Sequence, residues 1–165
     1  MKLESKVQKA MNEQINKELY SSYLYLAMSA WCESEGYPGC AKWLSMQHDE
    51  EREHAMKIYH FIHERGGRVE LAGIDTPKAE FKNLTLLFTM VLEHEQKVSA
   101  SITALYETAV KANDYASQIM LQWFITEQVE EEKNAHEIVD LLKKVGESPV
   151  SLMMVDRQLG ARAAG

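Results

Sequence analysis

Hydrophobic residues recur every three, four or seven positions through four long segments of the chain, which is the spacing of an α-helix buried on one side. Glycine and proline cluster around 36–39, 66–77 and 146–149, and the stretches between these clusters contain neither residue. No segment alternates apolar and polar residues over enough positions to indicate a strand. The predicted helices span about 3–35, 39–65, 83–111, 114–145 and 149–159.

Two residues mark helix starts within this pattern. Asp114 follows Asn113 inside the longest stretch and can cap the N–H groups of the helix after it. Ser148 precedes Pro149, a residue favoured at the first helical position, and is the expected N-cap of the short last helix. Four long amphipathic helices predict an all-α four-helix bundle, with 1–165 forming one domain.

The lengths of the connections predict the topology. Connections at 36–39 and 112–114 are short, so the helices that they join should be antiparallel neighbours. The connection from Gly66 to about Lys82 is long enough to run the length of a bundle. We therefore expect a long crossover between the second and third helices, and a short fifth helix after the fourth.

Each apolar face carries a carboxylate near its midpoint. In the fourth helix we place Met120, Phe124, Glu127, Glu131, Asn134, Ile138 and Leu141 on that face. Glutamate on an apolar face is informative, because burying an unpaired charge is costly. Four such residues at one level of a bundle would repel one another unless divalent cations bind between them. The central carboxylates are Glu18, Glu51, Glu95 and Glu127.

Glu51 and His54 form the sharpest local motif. Residues at i and i+3 project from the same side of a helix. In di-iron carboxylate bundles, two helices each give one Glu and two each give Glu-x-x-His. The fourth helix here has Glu127-x-x-Glu130 and Gln128-x-x-Glu131 in place of a second such pair. This oxygen-rich set with one imidazole suits iron or manganese, and zinc could bind as a redox-inert competitor.

Charge counting suggests a third metal site. Two divalent ions supply four positive charges, whereas the set with Glu50 carries more negative charge than that. The excess must be protonated, solvated or matched by a third ion, and we favour a third, weaker site. Its ligands would be Glu50, Glu127, Glu130 and Glu131.

Aromatic and imidazole side chains near these carboxylates have structural interpretations beside the functional ones. Tyr25 lies two turns beyond Glu18 on the same face, so it is a core residue, a hydrogen-bond donor to a ligand or a redox residue. For Trp123, one turn before Glu127, we favour packing. The remaining histidines are expected at the surface or in structural roles: His48, His60, His63, His94 and His136.

Composition narrows the function classes. With 25 acidic and 18 basic residues the net charge is −7, which argues against a nucleic-acid partner and favours cations. No apolar run approaches the ~20 residues of a membrane span, so no membrane partner is expected. The two cysteines form no disulfide framework, and the charged start shows no signal peptide. These features predict a cytoplasmic protein.

The motifs together resemble the non-haem bacterial ferritins over essentially the whole chain. They are Asn16-Lys-Glu18-Leu-Tyr-Ser-Ser-Tyr-Leu-Tyr25, Glu50-Glu51-x-x-His54, His94-Glu95-Gln96 and Glu127-Gln128-x-Glu130-Glu131. The resemblance implies an iron store that forms a hollow 24-subunit cage. It also implies a ferroxidase that oxidises Fe(II) with oxygen or hydrogen peroxide and deposits ferric mineral inside.

The resemblance also implies roles for individual residues. Site A corresponds to Glu18, Glu51 and His54. Site B corresponds to Glu51, Glu95 and Glu131 with Gln128 nearby, and site C to Glu50, Glu127, Glu130 and Glu131. Tyr25 matches the family's tyrosine beside the centre.

Several residues differ from those of related families, and they bear on haem binding and on iron entry. Arg52 stands where bacterioferritins have a haem-binding Met, so no haem is expected. Gln118 and Leu121 stand where animal ferritins place acidic pore residues, which leaves the iron entry route open. Two alternatives remain: a non-storing di-iron oxidase or peroxidase in a small assembly, and a metal-free structural bundle.

Overall fold

A computed structural model describes residues 2–163 of the chain. Within these residues the secondary structure is helical, with no strand. The all-α prediction is therefore confirmed, and each helix begins and ends within two residues of the expected position. The helices are α1 (Ser5–Ser34), α2 (Pro38–Glu64), α3 (Leu84–Lys111), α4 (Tyr115–Val145) and α5 (Pro149–Gly160).

Helix starts follow the expected chemistry in one case and depart from it in another. Asp114 accepts a hydrogen bond from the Ser117 backbone N–H, so it caps α4 as predicted. Its carboxylate also binds Arg65 at the end of α2, with N–O distances of 3.0 and 3.1 Å. Ser148 does precede α5, but its side chain makes no cap hydrogen bond.

The connection between α2 and α3 runs along α1. Near its start, Asn12 donates to the Arg68 carbonyl and accepts from the Glu70 N–H, both at 3.0 Å. Near its end, the Phe81 ring packs edge-on against Trp31, with 5.7 Å between ring centroids. Since Asn12 and Trp31 lie toward opposite ends of α1, the connection is a crossover that spans most of the bundle's length.

The apolar core consists of two clusters with a polar layer between them. One cluster includes Met28, Leu44 and Phe88, and the other includes Met11 and Ile58. The buried polar layer between them comprises Glu18, Glu51, His54, Glu95, Gln128 and Glu131. Two apolar clusters can hold a costly polar layer in place, because they exclude water from both of its sides.

The buried face of α4 differs from the sequence-based prediction. Phe124, Glu131 and Ile138 are buried as expected. Four residues assigned to that face are only half-buried: Met120, Glu127, Asn134 and Leu141. Each is replaced in the interior by the next residue along the chain: Leu121, Gln128, Ala135 and Leu142. Both sets have steps of three and four, so periodicity did not distinguish them; packing against α3 did.

Helix α5 docks tightly on the start of α2. The Asp156 carboxylate accepts a hydrogen bond of 2.8 Å from the Cys40 backbone N–H, in the first turn of α2 where N–H groups lack helical partners. A Cβ atom at Gly39 would lie 1.8 Å from the Asp156 carbonyl oxygen. Cys32 and Cys40 are free and buried, and burial raises the pKa of both thiols, to about 12 for Cys32.

Gly39→Ala should separate α5 from α2, because the added methyl group meets backbone that cannot move without the helix. We expect a loss of about 1–3 kcal/mol in stability, typical of overpacking, and faster proteolysis of the chain after Val145. Thermal unfolding and limited proteolysis measure both effects. Gly73→Ala is the matched control, since a Cβ there meets nothing within 4 Å. Equal behaviour of the two variants would contradict the predicted role of this contact.

Candidate metal centre

Glu18 of α1 and Glu51 and His54 of α2 form a compact group of ligand atoms in the buried polar layer. One ligand atom from each residue lies within 4.8 Å of the others, and all three residues are buried. Glu18 Oε2, Glu51 Oε2 and His54 Nδ1 are buried without a hydrogen-bond partner in the described part of the chain. Buried polar atoms without partners are costly, and a divalent cation among these three would satisfy them.

Glu95 of α3 and Glu131 of α4 approach Glu51 from the opposite helix pair. Glu95 accepts hydrogen bonds from the Tyr25 hydroxyl and, at 3.1 Å, from the Gln128 amide. Glu131 accepts a hydrogen bond of 2.7 Å from the Gln47 amide. Amide and phenol donors fix these carboxylates without neutralising them, which leaves the negative charge available to a cation.

The pKa values of the buried carboxyl groups lie above their ordinary range. Burial raises the pKa of Glu18 well above its usual value, and the nearby Glu51 raises it further. Burial and repulsion from Glu95 do the same to the pKa of Glu51. The pKa of Glu131 rises to about 8 and that of Glu95 to about 6, in both cases mainly through burial. Without a cation, protons therefore offset much of the charge at this centre.

Tyr25 donates a hydrogen bond to a candidate ligand, which is one of the roles expected from the sequence. The Tyr25 side chain is fully buried, and its hydroxyl bonds to Glu95. Burial and the adjacent carboxylates raise the pKa of Tyr25 well above 10, so the phenol stays protonated at neutral pH. Two of the three interpretations are confirmed, since Tyr25 is a core residue and its hydroxyl binds a candidate ligand; a redox role stays a prediction.

One cavity of about 770 Å³ is lined by all four residues expected at a third site: Glu50, Glu127, Glu130 and Glu131. Glu127 is half-buried, and its carboxylate lies within 4.8 Å of ligand atoms of His54 and Glu131. Glu130 is exposed on the wall of this cavity. Glu50 instead pairs with Arg162, at an N–O distance of 2.6 Å.

Trp123 and His94 lie near the centre in structural roles. Trp123 packs edge-on against His54, with 5.4 Å between ring centroids, and the Lys57 ammonium lies over its ring at 4.1 Å. His94 bonds to the Ser21 hydroxyl at 2.7 Å. Burial, with the charge of Lys97, lowers the pKa of His94 to about 4, so its ring is neutral.

Sequence reasoning missed three residues that support the centre. Gln14 donates to Glu18 at 2.7 Å, Gln47 donates to Glu131, and Arg162 binds both Gln47 and Glu50. The first two had a signal, because Gln-x-x-x-Glu precedes the central carboxylate in both α1 and α2. Arg162 had none, since it is 112 positions from Glu50.

Comparisons with known proteins agree with this geometry. Residues 8–145 match the ferritin family through its ferritin-like domain. The chain belongs to the ferritin family. The resemblance found in the sequence motifs is thus confirmed. Among the described residues, no helix of this ferritin is long and apolar enough to cross a membrane.

Relatives cover nearly the whole ferritin chain. It is 38% identical over 158 residues to a probable bacterial non-heme ferritin-like protein of Haemophilus influenzae, covering 96% of both chains. It is 37% identical over 153 residues to a bacterial non-heme ferritin of Staphylococcus aureus, covering 93% of this chain and 92% of the relative. The open-pore ferritin of Archaeoglobus fulgidus superimposes with a TM-score of 0.96 at 41% identity, covering 98% of both chains. These matches confirm the ferritin-like bundle with a short fifth helix.

Glu131→Gln should flatten the pH dependence of stability in metal-free buffer. The pKa of Glu131 is about 8 when folded and near 4.5 when unfolded, so the folded state holds an extra proton between these values. The stability from this group is present below pH 4.5 and is lost as pH rises toward 8. Unfolding midpoints measured from pH 4.5 to 8 should therefore fall more steeply for the wild type. Parallel curves would contradict the raised pKa.

Proposed function

We propose that this ferritin stores and detoxifies iron, and that it oxidises Fe(II) to Fe(III) at a di-iron centre. The unpartnered, buried ligand atoms of Glu18, Glu51 and His54 are the observation that carries the proposal. Their donor set is carboxylate and imidazole without thiolate, which suits iron. The names of its relatives, non-heme ferritins, support the same function.

Iron is the substrate in this proposal, and the residues divide it between two positions. One Fe(II) binds at Glu18, Glu51 and His54, and a second binds at Glu51, Glu95 and Glu131. Glu51 would contact both ions, consistent with its complete burial between the two helix pairs. Binding displaces the protons that the raised pKa values hold on these carboxyl groups.

The carboxylates favour oxidation because anionic oxygen ligands stabilise Fe(III) over Fe(II). Each Fe(II) loses one electron, and dioxygen or hydrogen peroxide accepts two electrons from the pair. Two protons taken up with these electrons would convert dioxygen to hydrogen peroxide, and the carboxyl groups release protons when iron binds. Ferric iron then moves to a mineral in the interior of the assembly.

A third, weaker iron position would use Glu50, Glu127, Glu130 and Glu131. The cavity that these residues line supports it, as does the proximity of Glu127 to Glu131. An ion there could exchange with the pair through Glu131, which both sites share. Gln128 is not a ligand in this scheme; it fixes Glu95.

The assembly in the proposal is a 24-subunit cage without haem, located in the cytoplasm. Exposed apolar side chains on the short fifth helix support burial of α5 against neighbouring subunits. They are Val150, Met153 and Met154. With −7 charges on each chain, such a cage would attract iron cations.

Tyr25 acts in this proposal by holding Glu95. Tyr25→Phe leaves a buried carboxylate oxygen without its donor, so we expect a 10-fold to 100-fold loss in metal affinity or oxidation rate, about the effect of removing an outer ligand partner. Stopped-flow absorbance and metal titration measure the two quantities. Tyr23→Phe, on the exposed side of α1, is the control and should behave as the wild type. A tyrosyl radical trapped in the wild type but not in Tyr25→Phe would add a redox role.

Glu51→Ala should slow rapid Fe(II) oxidation by at least about tenfold, because both iron positions lose a ligand. The exposed Glu93→Ala is the control, since it removes the same charge away from the centre. Initial rates are read from ferric absorbance after adding Fe(II) in air, and the product is then sized. An unchanged rate in Glu51→Ala would rule out the assigned centre. A small wild-type species that retains about two irons per chain would favour a non-storing di-iron enzyme.

A further inference from the structure

Arg162 lies beyond the last turn of α5 and reaches back to α2. Its guanidinium donates to Glu50 Oε2 at 2.6 Å and to Gln47 Oε1 at 3.0 Å. The Cζ atom of the group also lies over the Trp43 ring, 4.8 Å from its centroid. A guanidinium held by a carboxylate, an amide and an aromatic ring is well positioned and permanently charged.

The guanidinium lies on the wall of the cavity that contains the acidic residues of the expected third site. Glu127, Glu130 and Glu131 line that cavity together with Glu50 and Arg162. The Arg162 and Glu50 side chains are 20% and 29% exposed, so the pair is only partly solvated. Lys57 also lines the cavity, but its ammonium lies over the Trp123 ring.

The contact with Gln47 links Arg162 to the di-iron centre. The Gln47 amide has one acceptor end and one donor end, and Arg162 binds the acceptor oxygen. The donor nitrogen is therefore turned toward Glu131, at 2.7 Å. The guanidinium therefore contacts Glu50 directly and is linked to Glu131 through the Gln47 amide, and a third cation would use both carboxylates.

We propose that the Arg162 guanidinium is a built-in cation of the third site, which an incoming metal ion must displace from Glu50. The proposal rests on the third iron position described above. In the metal-free protein Arg162 offsets the charge of Glu50 and occupies its Oε2 atom, so Glu50 is a weaker ligand until the Arg162 side chain moves. Because this displacement costs free energy, the third ion binds more weakly than the first two. The Gln47 contact keeps the central carboxylates ordered.

The test is calorimetric titration of the metal-free assembly with Zn²⁺, which binds without redox chemistry. The wild type is compared with Arg162→Gln and with Glu127→Gln, which marks the third site by weakening it. We expect Arg162→Gln to bind the third Zn²⁺ at least about tenfold more tightly, since no charge-assisted hydrogen bond has to be broken. Only the third ion should bind more tightly, because Arg162 also orients Gln47 toward Glu131 and its loss does not strengthen the first two positions.

Lys42→Gln is the matched control. Lys42 also ties this end of the chain to α2, through a hydrogen bond of 3.0 Å to the Gly160 carbonyl, and it carries the same charge. If Lys42→Gln raises the affinity for the third Zn²⁺ equally, the cause is the loss of any nearby positive charge or a looser chain end. The proposal is then wrong. Arg162→Lys keeps the charge without the two-pronged contact, and an affinity between those of the wild type and Arg162→Gln would support it.

The remaining outcomes separate this inference from the proposed function. Three ions in both proteins with equal affinities would leave the third site in place but overturn the role of Arg162. No third ion in either protein would overturn both the third site and the role of Arg162. If neither protein binds the first two ions either, the result contradicts the di-iron centre. If Arg162→Gln fails to assemble, the comparison of Arg162→Lys with Lys42→Gln makes the same decision.

Discussion

Burial of several carboxylates at one level of the bundle is the constraint on which the rest of the structure depends. Glu18, Glu51, Glu95 and Glu131 repel one another in surroundings that water does not reach, and their pKa values rise as a result. Such a layer exists only where apolar packing on both sides contributes enough stability to hold it. The two clusters of apolar side chains in this bundle lie on its two sides.

The arrangement of the helices follows from this constraint. A ligand set drawn from four helices needs each helix fixed in rotation, and hydrogen bonds between helices add to the packing that does this. The Tyr25 hydroxyl joins α1 to Glu95 of α3, Gln128 joins α4 to the same carboxylate, and Gln47 joins α2 to Glu131 of α4. Donors without charge leave the carboxylates anionic for a metal ion, whereas arginine or lysine partners would have neutralised them.

The carboxylate at the edge of the centre has a charged partner, unlike the buried carboxylates. Glu50 is partly exposed and has a cationic partner, Arg162, which belongs to the end of the chain. An ion pair that is partly solvated is weakened by water. The position of α5 decides the partner of Glu50, because docking of α5 on Gly39 and Cys40 brings Arg162 to Glu50.

The sequence by itself determined the five helices and their order, since helical period is a local property, and it singled out Glu18, Glu51 and His54, which the structure brings together. It also indicated Tyr25 on the face of Glu18, two turns along, but the carboxylate that the Tyr25 hydroxyl binds is Glu95 of α3. Only the tertiary structure decided the rotation of α4, because two sets of positions with the same spacing differed only in their packing against α3. Only the tertiary structure also decided that Glu50, unlike Glu127, pairs with an arginine. That arginine comes from 112 positions away, and no local pattern encodes the contact.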